Sequence, residues 1–163
     1  VKGWGRDIEF RLVGSWASDE FKTLAEALVL DEGLEEFVFF PGPKKGLDKW
    51  QEYADSDVFL FPSYYQSENF PLVLIEAMAF SLPIISTTWR GIPQLVGNSE
   101  AAILCDINKP AQYADALLEI WENPDKRQQM GEAARKHYEA HYTREKFVGA
   151  MEDAFCEVLK SES

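Results

Sequence analysis

Short runs of apolar residues alternate along the chain with longer stretches in which apolar positions recur every three or four residues. The runs predict strands over residues 8–13, 37–40, 58–61 and 83–85, with a weaker one over 101–105. The longer stretches predict helices over 19–30, 47–54, 71–80 and 110–122, then two more over 125–142 and 143–160. Phe21, Leu24, Ala25 and Leu28 form the apolar stripe of the first helix, and Phe147, Met151, Ala154 and Val158 that of the last. Turn residues punctuate the pattern: Gly14-Ser15, Pro41-Gly42-Pro43, Pro62-Ser63 and Asn123-Pro124. Strands alternating with helices predict an α/β fold, a doubly wound parallel sheet flanked by helices and closing with C-terminal helices.

Residues 58–93 organise the rest. The run Val58-Phe59-Leu60-Phe61 reads as a strand buried on both faces, and a polar loop from Tyr64 to Asn69 comes after it. Pro71 suits the first position of the next helix, with Asn69 and Ser67 as candidate caps. In an open α/β sheet the crevice beyond the carboxyl ends of the strands is where ligands bind, and this loop belongs there. Glu76 is the only formally charged residue between Glu68 and Arg90, and its neighbours are almost all apolar. A carboxylate so placed needs donors to replace its water. No Arg or Lys is near in sequence, so the donor is a distant residue, main-chain N–H groups or a ligand; a partly exposed Glu at a helix edge is the alternative. A vicinal diol such as a ribose suits both carboxylate oxygens. Glu68 lies in the loop just ahead of the helix, whose N–H groups and positive dipole end attract anions. The main-chain N–H groups of Asn69, Phe70 and Leu72, with none from Pro71, can hold phosphate or sugar oxygens between the two carboxylates.

Composition narrows the classes. A chain of 163 residues, 46% hydrophobic and 13% aromatic, is the size of one globular domain. The longest apolar run, 70–85, contains Glu76 and two prolines and is too short to cross a bilayer. A formal net charge of -12 leaves no basic footprint for nucleic acid or an anionic membrane. Cys105 and Cys156 are far apart and read as two buried free thiols of a cytoplasmic protein. Asp55-Ser56-Asp57 precedes its strand rather than following it, which puts it away from the crevice; His137 and His141 lack a third ligand. Neither predicts a metal site.

The ordered set Pro62-Ser63, Glu68, Glu76-Ala77-Met78-Ala79, Pro83-Ile84-Ile85 and Gly91-Ile92-Pro93-Gln94 resembles the signature of retaining glycosyltransferases of the GT-B fold, family 4 or group 1. The resemblance runs from about Ile8 to the end. It implies one Rossmann-like half of a GT-B fold, in which Glu76 binds the ribose, Glu68 touches the donor sugar as the catalytic candidate, and Asn69, Phe70, Pro71 and Leu72 line the nucleotide sugar. It also implies that the loop after the second strand faces the base, so main chain at Phe40, Pro41 and Gly42 is the candidate for base contact, with Lys44 and Lys45 as local cations. A solvated turn is the other reading of that loop. The chain departs from the pattern at Asn69 and Ser81, where Gly is usual, and at Gln94, where Glu is usual.

The resemblance further implies a nucleoside-diphosphate sugar as substrate, no metal or other cofactor, and no nucleic-acid partner. The family's Gly-Arg and Lys-Gly cations have no counterpart, since Gly5-Arg6 does not occupy that place. The chain is therefore expected to be a single donor-binding domain, 1–163, of a longer enzyme whose N-terminal acceptor domain is absent, with the last helix packing on the lost half. Any membrane association is left to that missing domain, and the piece alone is expected to be inactive. The alternative is a non-catalytic nucleotide-binding or protein-interaction domain of the same fold.

Overall fold

A computed structural model describes residues 8–161; Gly5 and Arg6 lie outside the described residues. Two compact units, Val1–Glu52 and Tyr53–Ser163, are taken in turn.

The first unit contains a parallel pair of strands, β1 (Phe10–Arg11) and β2 (Val38–Phe39), joined through helix α1 (Asp19–Asp31). Ser18 caps α1 by accepting the Phe21 N–H at 3.1 Å, and Asp19 and Glu20 complement the dipole of its first turn. The predicted stripe of α1 is present but not covered, since Phe21, Leu24 and Leu28 are each more than half exposed. Helix α2 begins at Gly46 and runs Gly46–Ala54; Arg11 grips Glu52 on it with two hydrogen bonds, of 2.8 and 3.0 Å. Those bonds hold the Glu52 carboxyl below the usual range.

The second unit is built on a parallel sheet ordered β3 (Phe59–Leu60), β4 (Ile84–Thr87), β5 (Ala102–Cys105). Consecutive residues of a strand face opposite ways, and β4 shows both faces buried. Ile84 packs with Leu74, Ala77 and Met78 of α3 (Leu72–Ala79), with Leu95 of α4 (Ile92–Val96) and with Ala134 of α6 (Pro124–His141). Ile85 packs on the other side with Ala116 and Ile120 of α5 (Pro110–Glu122). Helices therefore cover both faces of this sheet, as the alternating pattern predicts. α7 (Arg144–Ser161) comes after α6, and its stripe of Phe147, Met151 and Val158 is exposed.

Three expectations are corrected. Strand 58–61, expected to be buried on both faces, is half-buried because β3 is the edge of its sheet. Pro71 is not the first helical residue; at φ -69° and ψ 103° it is the cap itself, and no side chain caps α3, so Asn69 and Ser67 do not play that part. Cys156, expected to be buried, is exposed on α7, whose apolar stripe is itself uncovered, and the five-residue helix α4 falls where the sequence pattern marks no element. Among the described residues no helix is long and apolar enough to cross a membrane.

Candidate functional site at the start of α3

The loop between β3 and α3 is irregular, so its carbonyls need partners from outside it. The end of β4 supplies them. Ser86 and Thr87, both fully buried, donate to the carbonyls of Phe61 (2.8 Å) and Ser63 (2.7 Å). Trp89 Nε1 donates to the carbonyl of Tyr65 at 2.8 Å. Gly91 lies against Asn69 so closely that a Cβ there would fall 2.9 Å from the Asn69 carbonyl carbon and nearer still to its oxygen. The loop carrying Glu68 is thus pinned at four places.

Each of the two predicted glutamates has a hydroxyl on it. Ser63 Oγ donates to Glu68 Oε2 at 3.2 Å, with Glu68 half-buried. Tyr53 Oη donates to Glu76 Oε2 at 2.9 Å. Tyr53 is 8% exposed, its ring 5.5 Å from Phe80 and 5.6 Å from Phe59. Burial first, then the hydrogen bond and charge of Glu76, push the Tyr53 hydroxyl far above its usual range, so it remains a donor. The donor demanded by a carboxylate among apolar neighbours is therefore a tyrosine 23 residues away. The sequence allows for a distant donor without naming it, because no local pattern encodes a contact 23 residues away. Trp89 and Gly91 were missed as loop supports for the same reason, since their contacts are not local.

Asn69, Phe70, Pro71 and Leu72 are the remaining candidate residues in the second unit. Pro71 is buried, whereas Phe70 and Leu72 are more than half exposed, and Phe70 meets Tyr142 edge-on at 6.2 Å. The first N–H groups of α3 have no acceptor within the helix. A cavity of about 360 Å³ adjoins this loop, between Asn69 and Phe70 on one side and Arg90, Gln94 and Tyr142 on the other. Arg90, at φ 47°, is the only formally charged residue lining it among the described residues. A larger hollow of about 650 Å³ lies among Glu100, Asp125 and Lys126, at the start of β5, away from the crevice end of the strands.

In the first unit Phe40, Pro41 and Gly42 are half-buried in the loop after β2. Gly42 has φ 75°, and its carbonyl accepts the Gly14 N–H at 3.2 Å; Trp16 packs on Phe40 at 5.0 Å. His137 Nε2 bonds the Leu95 carbonyl at 3.1 Å, which also accepts Tyr142 Oη at 2.6 Å. Asp55 and Asp57 are exposed ahead of β3. Among the described residues no group of three or more His, Cys, Asp or Glu side chains is arranged to hold a metal ion.

The family described as Glycosyl transferases group 1 matches residues 4–137. The N-acetyl-alpha-D-glucosaminyl L-malate synthase of Bacillus anthracis is 31% identical over 156 residues, covering 96% of this chain and 39% of that protein. The D-inositol 3-phosphate glycosyltransferase of Corynebacterium kroppenstedtii is 34% identical over 112 residues, 69% of this chain and 24% of that one. Among solved structures, sucrose-phosphate synthase from Thermosynechococcus elongatus superposes with a TM-score of 0.80 at 28% identity, covering 93% of this chain and 38% of that one. HepE of Anabaena in complex with UDP gives 0.81 at 21% identity, with 94% and 41% covered. The chain spans about two-fifths or less of the length of these proteins. Parallel sheets flanked by helices agree with these matches, and the chain belongs to the group 1 glycosyltransferases of the GT-B fold.

Proposed function

We propose that this chain binds the donor in an enzyme that moves a sugar from a nucleoside diphosphate to an acceptor oxygen, with retention at the anomeric carbon and without a metal ion. The observation that carries the reading is the pair Glu68 and Glu76, each held by a hydroxyl, one in the loop ahead of α3 and one within it. Glu76 accepts the ribose diol, Glu68 orients the sugar, and the first N–H groups of α3, with those of Asn69 and Phe70, hold the diphosphate. The anomeric C–O bond breaks with its electron pair leaving on the diphosphate, while the acceptor oxygen bonds to the anomeric carbon and gives its proton to the departing diphosphate. Solved neighbours of the same fold carry UDP or UDP-glucose, which supports a nucleotide-sugar donor and makes UDP the first probe. Within the first unit, the main chain of Phe40, Pro41 and Gly42 is proposed for base contact on its place after β2. The acceptor domain is proposed to lie in the part of the enzyme outside this chain, and the enzyme to work in the cytoplasm.

Calorimetry on the full-length enzyme tests the reading. Glu76→Ala removes two hydrogen bonds to a charged group, each worth roughly 1.5–3 kcal/mol, so UDP binds on the order of 100-fold or more weakly. Glu68→Ala leaves UDP within about threefold and slows transfer from UDP-glucose by ~10²-fold. Equal losses of bare UDP affinity in both variants contradict the assignment.

A further inference from the structure

Resting on the ribose role proposed for Glu76, we infer that Tyr53 is the positioning residue for nucleotide recognition: its hydroxyl, 2.9 Å from Oε2, holds the Glu76 carboxylate turned to accept the 2′ and 3′ hydroxyls of a bound nucleoside diphosphate.

A glutamate side chain has three rotatable bonds, and freezing them at the moment of binding weakens the ligand. Tyr53 freezes them beforehand. Its own position is fixed by its place at the end of α2, by 8% exposure, and by the rings of Phe59 and Phe80 on it, at 5.6 and 5.5 Å. The kind of donor matters as well as its place. A phenol is neutral, so unlike an Arg or Lys in its position it holds the carboxylate without cancelling the charge or competing as a cation with a diol. A carboxylate offers about four acceptor positions, and one phenol takes one of them. The Tyr53 hydroxyl thus fixes direction without giving up the negative charge that makes a strong acceptor for ribose hydroxyls.

The test uses the full-length enzyme with UDP and 2′,3′-dideoxy-UDP, with GDP and ADP and their dideoxy forms alongside. Tyr53→Phe keeps the ring and its packing. It is expected to weaken the ribose nucleotide about tenfold and the dideoxy form by no more than about twofold, so that discrimination shrinks. In a Glu76→Gln background the same substitution changes neither. Equal weakening of both forms, or no change in either, overturns the inference and leaves Tyr53 as packing only. If Tyr53→Phe does not fold, ¹³C labelling of the tyrosine Cζ in the wild-type enzyme decides. The Tyr53 resonance then moves with UDP and stays in place with the dideoxy form, and an equal movement with both overturns the inference. A wild-type enzyme that binds none of the three diphosphates contradicts the ribose reading of Glu76 itself, an outcome distinct from unchanged discrimination.

Discussion

Gly91→Ala adds a single methyl group, and the structure says where it goes. Gly91 has φ -76° and ψ -6°, a conformation open to alanine, so the backbone itself raises no objection. Space does. The new Cβ would lie 2.9 Å from the carbonyl carbon and 3.5 Å from the Cα of Asn69, and closer to the oxygen, all main-chain atoms that cannot rotate away. Restoring an ordinary separation of about 3.5 Å moves the Asn69 peptide by about 1 Å or more. Asn69 comes directly after Glu68, so the carboxylate moves with it. A displacement of about 1 Å at a reacting group costs up to about 10²-fold in rate, and overpacking costs about 1–3 kcal/mol of stability. Transfer from UDP-glucose by the full-length enzyme, measured with a melting curve on the same preparation, is expected to fall about 30- to 100-fold, well beyond what the lost folded fraction explains. UDP affinity falls far less, because Glu76 sits on α3 and keeps Tyr53. Gly91→Ala with wild-type transfer within about threefold would refute the claim that this contact positions Glu68.

Three further outcomes are expected. Ser81 sits at φ 59°, so Ser81→Gly relieves about 1–2 kcal/mol of left-handed strain against about 0.5–1 kcal/mol of added chain entropy, and chemical denaturation should show a net gain of about 0.5–1 kcal/mol. Burial pushes the hydroxyls of Tyr53, Tyr113 and Tyr142 up; a raised folded value means stability is full below the unfolded value of about 10 and is lost as pH rises past it. Melting temperature should fall above about pH 10, and Tyr53→Phe should make that fall shallower. UDP affinity should be the same in EDTA as in magnesium or manganese, and a tenfold gain with metal that vanishes in Asp57→Ala would contradict metal independence.

Periodicity made much of the fold legible, and what it missed has particular causes. Helix α5 runs Pro110–Glu122 as predicted because a proline opens it and Asn123-Pro124 closes it, two local signals that no packing overrides. β1, β2 and β3 are shorter than their apolar runs, whereas β4 extends past its run to Thr87; residues 58–61 yield only Phe59–Leu60 as strand, since pairing with a neighbour sets strand length and hydrophobicity does not. The cap of α3 was misread because Asn69 is committed elsewhere, its main chain pressed on Gly91. Glu68 and Glu76 stand out in the sequence as candidates because they interrupt apolar and loop sequence at a recognisable spacing. Tyr53, Trp89 and Gly91 could not, because each acts on a residue 22 to 24 positions away, and no local pattern encodes such a contact.

Those distant contacts also explain why a loop this irregular can hold a carboxylate still. Ser86, Thr87, Trp89 and Gly91 succeed one another along the end of β4 and the turn after it; their partners Phe61, Ser63, Tyr65 and Asn69 do the same along the loop. The loop is therefore templated by the strand end, nearly residue for residue, through the fully buried hydroxyls of Ser86 and Thr87 and the partly exposed indole of Trp89. Ser63 stands at the junction of the two functions. Its carbonyl is bound by Thr87 while its hydroxyl binds Glu68, so the parallel register of β3 and β4 is passed on to the carboxylate through a single residue. A site assembled this way draws its precision from the sheet rather than from the loop.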